Sequence, residues 1–155
     1  MHRRHEFLNA NTKSSPLRDR RPKAAAVDVV STIGASHDDR TDACARACSA
    51  CQRACDGCAT WCDRAVARGL HRYQTVLTGC RDCADLCFAA AQIVTRHGMA
   101  LDLICLACAD ACRRCERLCE QHAGEDKRLA QCARSCHGAE MACRAVLPIA
   151  VSQHH

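Results

Sequence analysis

Cysteine is the residue type with the most chemistry to offer in this sequence. The chain of 155 residues holds 17 cysteines, and all of them fall between Cys44 and Cys143. A cysteine content above about 8 to 10% in a short chain is typical of disulfide scaffolds and of metal carriers. A thiolate is a soft ligand that favours Cu(I), zinc and iron-sulfur clusters. The cysteine content therefore points to disulfide formation or to the binding of soft metals.

The cysteines recur at alternating intervals of three and four residues, in four separate rows. The rows are Cys44, Cys48, Cys51, Cys55, Cys58 and Cys62; Cys80, Cys83 and Cys87; Cys105, Cys108, Cys112, Cys115 and Cys119; and Cys132, Cys136 and Cys143, with Ala139 at the skipped position. On a helix this spacing places the thiols of a row on one face. Neighbouring side chains there lie about 5 to 6 Å apart, which suits two thiolates sharing a metal ion better than a disulfide.

Residues that favour helix surround the cysteines and predict four helices. The four predicted segments are 42–67, 73–97, 100–122 and 126–147. Ala, Arg, Leu, Glu and Gln predominate in them. Gly69, Gly98 and Gly124 interrupt the pattern, and Pro148 ends it. Because connections this short require antiparallel neighbours, we expect residues 43–147 to form an all-α, antiparallel, up-down-up-down four-helix bundle whose core is lined with cysteine.

The segments on either side of the cysteine-rich region lack such a pattern. We expect residues 1–42 to form a mostly disordered leader, with a short helix near 24–33 as an alternative, and residues 148–155 to form a tail. The pair of arginines before Phe7 resembles a twin-arginine export signal. However, Phe7 lies one residue farther from the arginine pair than in the usual signal, and no uninterrupted apolar stretch follows it. A cytoplasmic location is therefore favoured, with export by the twin-arginine route as the alternative.

Charge and composition argue against several classes of function. The formal net charge is +5, but basic and acidic residues are interspersed, and aromatic residues make up only 3% of the chain. A nucleic-acid-binding protein usually has a basic stripe or stacking aromatic residues. No apolar run approaches the about 18 residues of a membrane span. A redox enzyme would use one reactive cysteine with a resolving partner. We therefore expect no nucleic acid, no membrane and no enzymatic activity.

The arrangement of the thiols also discriminates between metals. Structural zinc sites are closed sets of four ligands, and iron-sulfur clusters usually take their cysteines from loops. Cu(I) accepts two or three sulfurs and tolerates a shared array, so rows of thiolates can hold on the order of ten or more Cu(I) ions. Two alternatives stay open: a buffer of zinc or heavy metals in general, and a structural bundle linked by disulfides.

The cysteine rows resemble those of the bacterial copper storage proteins, which are cysteine-rich four-helix bundles. The rows that carry the resemblance run from Cys44 to Cys58 and from Cys105 through Cys119 to His122. The resemblance implies a homotetramer in which each bundle stores Cu(I) and takes it up through one open end, either after export or in the cytosol. His122 matches a histidine near that opening in the family, and its position three residues after Cys119 continues the row. We therefore expect copper to enter beside His122, with His71 assisting.

Overall fold

Four long helices make up most of the described part of the chain. This computed structural model describes residues 36–147. The helices are α1 (His37–Ala67), α2 (Gln74–Thr95), α3 (Leu101–Glu120) and α4 (Lys127–Val146), and a short 3₁₀ helix (His71–Tyr73) precedes α2. The predicted all-α four-helix bundle is confirmed. The predicted tail and the first 35 residues of the predicted leader, with the arginine pair and the short helix near 24–33, lie outside the described residues.

Helix α1 begins earlier than predicted because Ser36 and Asp39 form a capping box. The Ser36 hydroxyl accepts a hydrogen bond from the Asp39 N–H at 3.1 Å, and the Asp39 carboxylate accepts one from the Ser36 N–H at 3.1 Å. These bonds satisfy backbone donors that the first turn of a helix leaves without partners. Acidic residues in that turn, Asp38 and Asp39, also suit the positive end of the helix dipole. The predicted start at residue 42 is therefore wrong, and 37–42 belong to the bundle.

The predicted breaks between helices are present, although the residues that make them differ in part. Gly69 adopts a φ of +90° directly after α1, as a glycine stop requires. After α2 the left-handed residue is His97, with a φ of +50°, where Gly98 was expected. The carboxylate of Asp126 accepts a hydrogen bond from the N–H of Arg128 at 2.8 Å and so caps the start of α4. The turns are therefore set by local hydrogen bonds and not by glycine alone.

The helices run antiparallel, so each end of the bundle combines helix starts with helix ends. Cys44 near the start of α1 lies 3.7 Å from Cys143 near the end of α4, measured between Sγ atoms. Cys80 near the start of α2 lies 3.8 Å from Cys119 near the end of α3. We call the end that contains Cys80 and Cys119 the His122 end, because His122 lies in the turn after α3, and we call the other the far end.

Apolar side chains cover the thiols at both ends. Leu77 and Leu129, each one turn before the first cysteine of its helix, are buried at the His122 end. Val94 and Val146 are buried at the far end, one or two turns beyond the last cysteine of their helices. Beyond Cys87, α2 carries no cysteine and contributes Val94 and small residues such as Ala90 to the core. Within the described residues, no helix is both long enough and apolar enough to cross a membrane.

Candidate metal centre

Cysteine side chains form the interior of the bundle. All the cysteines of the chain are free thiols, and each is at most 1% exposed. They come from all four helices, because the spacing of three and four residues keeps each row on the inward face. The structure therefore brings together all the cysteines that the sequence predicts to be ligands, while their binding of metal stays a prediction.

The sulfur atoms form a continuous path along the bundle axis. Successive Sγ atoms on the path, from the far end to the His122 end, belong to Cys44, Cys143, Cys48, Cys108, Cys112, Cys51, Cys136, Cys55, Cys132, Cys80 and Cys119. No step between them is longer than 4.0 Å, and the shortest, from Cys143 to Cys48, is 3.5 Å. Adjacent thiolates at this separation can share one metal ion with little movement of the helices.

Overlapping sets of thiols lie close enough to hold a metal ion. In each of these sets all the ligand atoms lie within 4.8 Å of one another. Five of the sets are Cys44, Cys105 and Cys143; Cys51, Cys83, Cys87 and Cys112; Cys51, Cys55, Cys83 and Cys136; Cys55, Cys115, Cys132 and Cys136; and Cys58, Cys80, Cys119 and Cys132. Cys55 and Cys136 each belong to two of these sets. Closed zinc sites would need separate sets, whereas shared thiolates suit a chain of Cu(I) ions.

Close packing alters the acidity of the thiols. The pKa of Cys55 is raised, chiefly by its hydrogen bond with Cys115 and then by that with Cys132, and burial adds to the effect. The pKa of Cys51 is lowered, chiefly because a hydrogen bond from Cys112 stabilises its thiolate. Neighbouring thiols therefore cannot all ionise together while the bundle is empty. A metal that binds along the path must displace protons from the sulfurs whose pKa is raised.

Glu125 connects three side chains at the His122 end. Its Oε1 atom lies 2.6 Å from Nδ1 of His122, and its Oε2 atom accepts hydrogen bonds from the Tyr73 hydroxyl and, at 3.0 Å, from the Arg72 guanidinium. The Tyr73 ring lies 5.2 Å from the ring of His122 and 4.9 Å from that of Trp61. The pKa of Glu125 falls to about 2, first because of the Tyr73 hydrogen bond and then because of His122. An ionised carboxylate beside Nδ1 keeps the proton there, so Nε2 is the nitrogen left for a metal.

His71, His97 and His122 lie near the ends of the bundle in different surroundings. Helix α3 ends at Glu120, so His122 lies in the following turn, where its side chain is 19% exposed. His71 is exposed in the 3₁₀ helix at the same end, and His97 is exposed beyond α2. Sequence reasoning found His122 from its spacing but missed Glu125, which lies in a turn outside any helical pattern. Only the fold brings Glu125 to Tyr73, about 50 residues away in the chain.

Comparisons with known proteins agree with this geometry. A sequence model described as copper storage protein matches residues 37–148. The solved structure of a cytosolic copper storage protein from Streptomyces lividans, loaded with five coppers, is 30% identical, with a TM-score of 0.65, over 72% of this chain and 94% of that one. The same protein loaded with ten copper equivalents is similar at 30% identity and a TM-score of 0.65, over 77% and 96% of the chains. None of the curated proteins matches. The chain belongs to the copper storage protein family.

Proposed function

We propose that this protein stores multiple Cu(I) ions inside its helical bundle. The observation that carries the proposal is the continuous path of buried sulfurs with no step longer than 4.0 Å. All seventeen cysteines are ligands in this proposal, and His122 is a further ligand at one end. The structure of the related Streptomyces lividans protein with ten copper equivalents supports this capacity for many ions. Shared thiolates make such loading feasible because Cu(I) needs only two or three of them.

Loading is an exchange of protons for metal inside a bundle that is already folded. The empty bundle has its helices in place, so copper does not have to organise the ligands. Each Cu(I) that binds between two thiols forms Cu–S bonds, and the thiol protons leave for solvent. The oxidation states of copper and sulfur do not change, and no bond of an organic substrate is made or broken. The activity is therefore storage, and no catalytic step is part of the proposal.

Anaerobic titration of the reduced protein with Cu(I) tests the proposal. If shared thiolates hold copper, binding should saturate near the number of thiols, about seventeen ions per chain. A protein built from closed tetrahedral zinc sites would stop at about four ions. A bundle linked by disulfides would bind almost none. Saturation at about four Cu(I) ions, or preferential retention of zinc in a competition between the two metals, would contradict the proposal.

We further propose that copper enters at the His122 end. Nε2 of His122 is available to a metal because Nδ1 faces the Glu125 carboxylate at 2.6 Å. His71 lies exposed at the same end, and in this proposal it assists the transfer of copper. His122→Ala should slow Cu(I) uptake in stopped-flow measurements and leave the final stoichiometry nearly unchanged. His97→Ala, which removes an exposed histidine beyond α2, is the matched control, and equal rates in both variants would refute the role of His122.

Location and assembly follow by analogy. We propose a cytosolic location, because the related Streptomyces lividans protein is described as cytosolic. We also propose a homotetramer, which the resemblance to the family implies. The exposed Leu103, 73% accessible on α3, provides apolar surface for such contacts. Cell fractionation with N-terminal sequencing tests the first proposal, and light scattering of the purified protein tests the second.

A further inference from the structure

Access to the sulfurs along the bundle axis is obstructed by well-packed side chains. At the His122 end Tyr73, Leu77 and Leu129 are at most 3% exposed. At the far end Val94 and Val146 are at most 5% exposed. Copper that moves in or out along the axis must displace some of this packing, which is costly in a close-packed interior. A path to the thiols from the side of the bundle would avoid this cost.

A groove between α2 and α3 extends from the side of the bundle to Cys115. It encloses about 520 Å³, and Cys115 forms part of its wall. The polar side chains around it include Thr78 and Asp82 from α2 and Arg114 from α3. A volume of this size lies within the range of about 300 to 1,000 Å³ that is usual for small-ligand sites, and it is much larger than one metal ion needs. The groove thus has room for a small molecule that carries copper.

Leu118 and Gly79 pack against each other in the wall of this groove. A Cβ atom added to Gly79 would lie 2.6 Å from Cδ1 of Leu118, so the leucine tip occupies the space that the glycine leaves. Leu118 follows Cys115 by three residues, and long side chains on a helix lean toward the preceding turn. The Leu118 side chain, which is only partly buried, therefore lies over the approach to Cys115. Rotation about its side-chain bonds would open the approach without moving a helix.

Copper bound at Cys115 lies next to other thiols of the bundle interior. The Sγ atom of Cys115 lies 3.7 Å from that of Cys80 and 4.0 Å from that of Cys55. Cys55 and Cys80 are both members of the continuous sulfur path. An ion bound at Cys115 can therefore pass to the axis by exchange between neighbouring thiolates.

We propose that this groove is a lateral exchange site for a small Cu(I)–thiolate complex, and the proposal rests on the storage function proposed above. In the exchange, a Cu–S bond forms to Cys115, the Cu–S bond of the carrier breaks, and the Cys115 proton moves to the thiolate that leaves. Copper remains Cu(I) and no electron is transferred. The rim carries charges of both signs: Asp82 and Asp110 are acidic, and Arg114, which forms an ion pair with Asp110, is basic. Such a rim suits a thiol of amino-acid type that carries both charges.

Pulsed alkylation with mass spectrometry tests whether the groove gives access to Cys115. The empty, reduced protein is exposed briefly to iodoacetamide, and the modified cysteines are identified. Cys115 should be modified faster than Cys112, which lies about one turn away on the same helix and is 0% exposed. Leu118→Ala should increase the rate at Cys115 several-fold and leave Cys112 nearly unchanged. Equal rates at the two cysteines in the wild type and in L118A would overturn the proposal.

A blocking variant tests the transfer of copper itself. Thr78→Trp places a large ring in the groove, and Thr60→Trp is its control. Both threonines are exposed on helices and hydrogen-bond to the carbonyl four residues earlier, Thr78 to Gln74 at 3.2 Å and Thr60 to Asp56 at 2.8 Å. With the Cu(I) complex of glutathione as the probe, T78W should take up copper several-fold more slowly than T60W, to the same final stoichiometry. Equal rates would refute lateral exchange and leave storage intact, whereas a wild type that binds no copper would refute storage.

Discussion

Removing the three thiols of the far end should lower the copper capacity without slowing uptake. Cys44, Cys105 and Cys143 lie within 4.8 Å of one another, and Cys44 and Cys143 begin the sulfur path at the far end. Where each Cu(I) has two sulfurs and each sulfur is shared by two ions, ions and thiolates are about equal in number. The variant C44A/C105A/C143A should therefore lose about three of about seventeen Cu(I) ions. Alanine is the replacement because a serine hydroxyl buried there would need a hydrogen-bond partner.

The assay combines an anaerobic Cu(I) titration with stopped-flow uptake from a coloured Cu(I) chelate. The matched variant is C58A/C119A/C132A, which removes three thiols of the set at the His122 end. Both variants should lose the same capacity, but only the second should slow the first phase of uptake. Circular dichroism of the empty proteins checks that both remain helical. Unchanged capacity in the far-end variant would mean that its thiols are not ligands, and equal slowing in both would refute uptake near His122.

Three other substitutions give separate tests. Leu129→Ala, at a position that is 0% exposed, should destabilise the empty protein by about 3 kcal/mol and lower its melting temperature by about 10 °C in circular dichroism; a shift near zero would contradict the tight packing of this end. Ala139→Cys fills the skipped position of the α4 row, where the alanine is 0% exposed, and should add about one Cu(I) ion in the titration. Glu125→Gln should lower the stability of the folded protein near neutral pH. The pKa of Glu125 is depressed to about 2 in the folded protein, so the carboxylate stabilises the fold at pH values above the ordinary carboxyl pKa. This stabilisation is lost as the pH falls toward about 2. Acid unfolding curves of E125Q and the wild type should therefore differ near pH 6 and converge near pH 2.

The cysteine rows made the fold and the interior predictable. A residue such as Cys51 has cysteines three residues before it and four after it, so its row occupies one helix face whatever the partners are. No other apolar stripe is as continuous, so the rows had to meet in the core. The start of α1 was missed because it depends on hydrogen bonds between Ser36 and Asp39, which lie before the periodic pattern begins. The position at which α1 begins is therefore set by these capping hydrogen bonds and not by the spacing of the cysteines.

The contacts around Glu125 at the His122 end and the groove at Cys115 could not be predicted from the cysteine rows. Glu125 meets Tyr73 only because the turn before α4 packs beside the start of α2. The groove at Cys115 depends on how Leu118 fits against Gly79, a contact between two helices with no sequence pattern behind it. Such contacts follow from the packing of whole helices, and a single sequence contains no direct signal for them.

The sulfur path crosses repeatedly between helices, so stored copper also cross-links the helices. Its first steps lead from Cys44 on α1 to Cys143 on α4, back to Cys48 on α1 and on to Cys108 on α3. An ion bound at each of these steps joins two helices, and a metal that binds only the folded chain stabilises that chain, more so the tighter it binds. The melting temperature should therefore rise with the number of Cu(I) ions bound per chain. A protease that degrades unfolded chains would then remove empty copies before full ones.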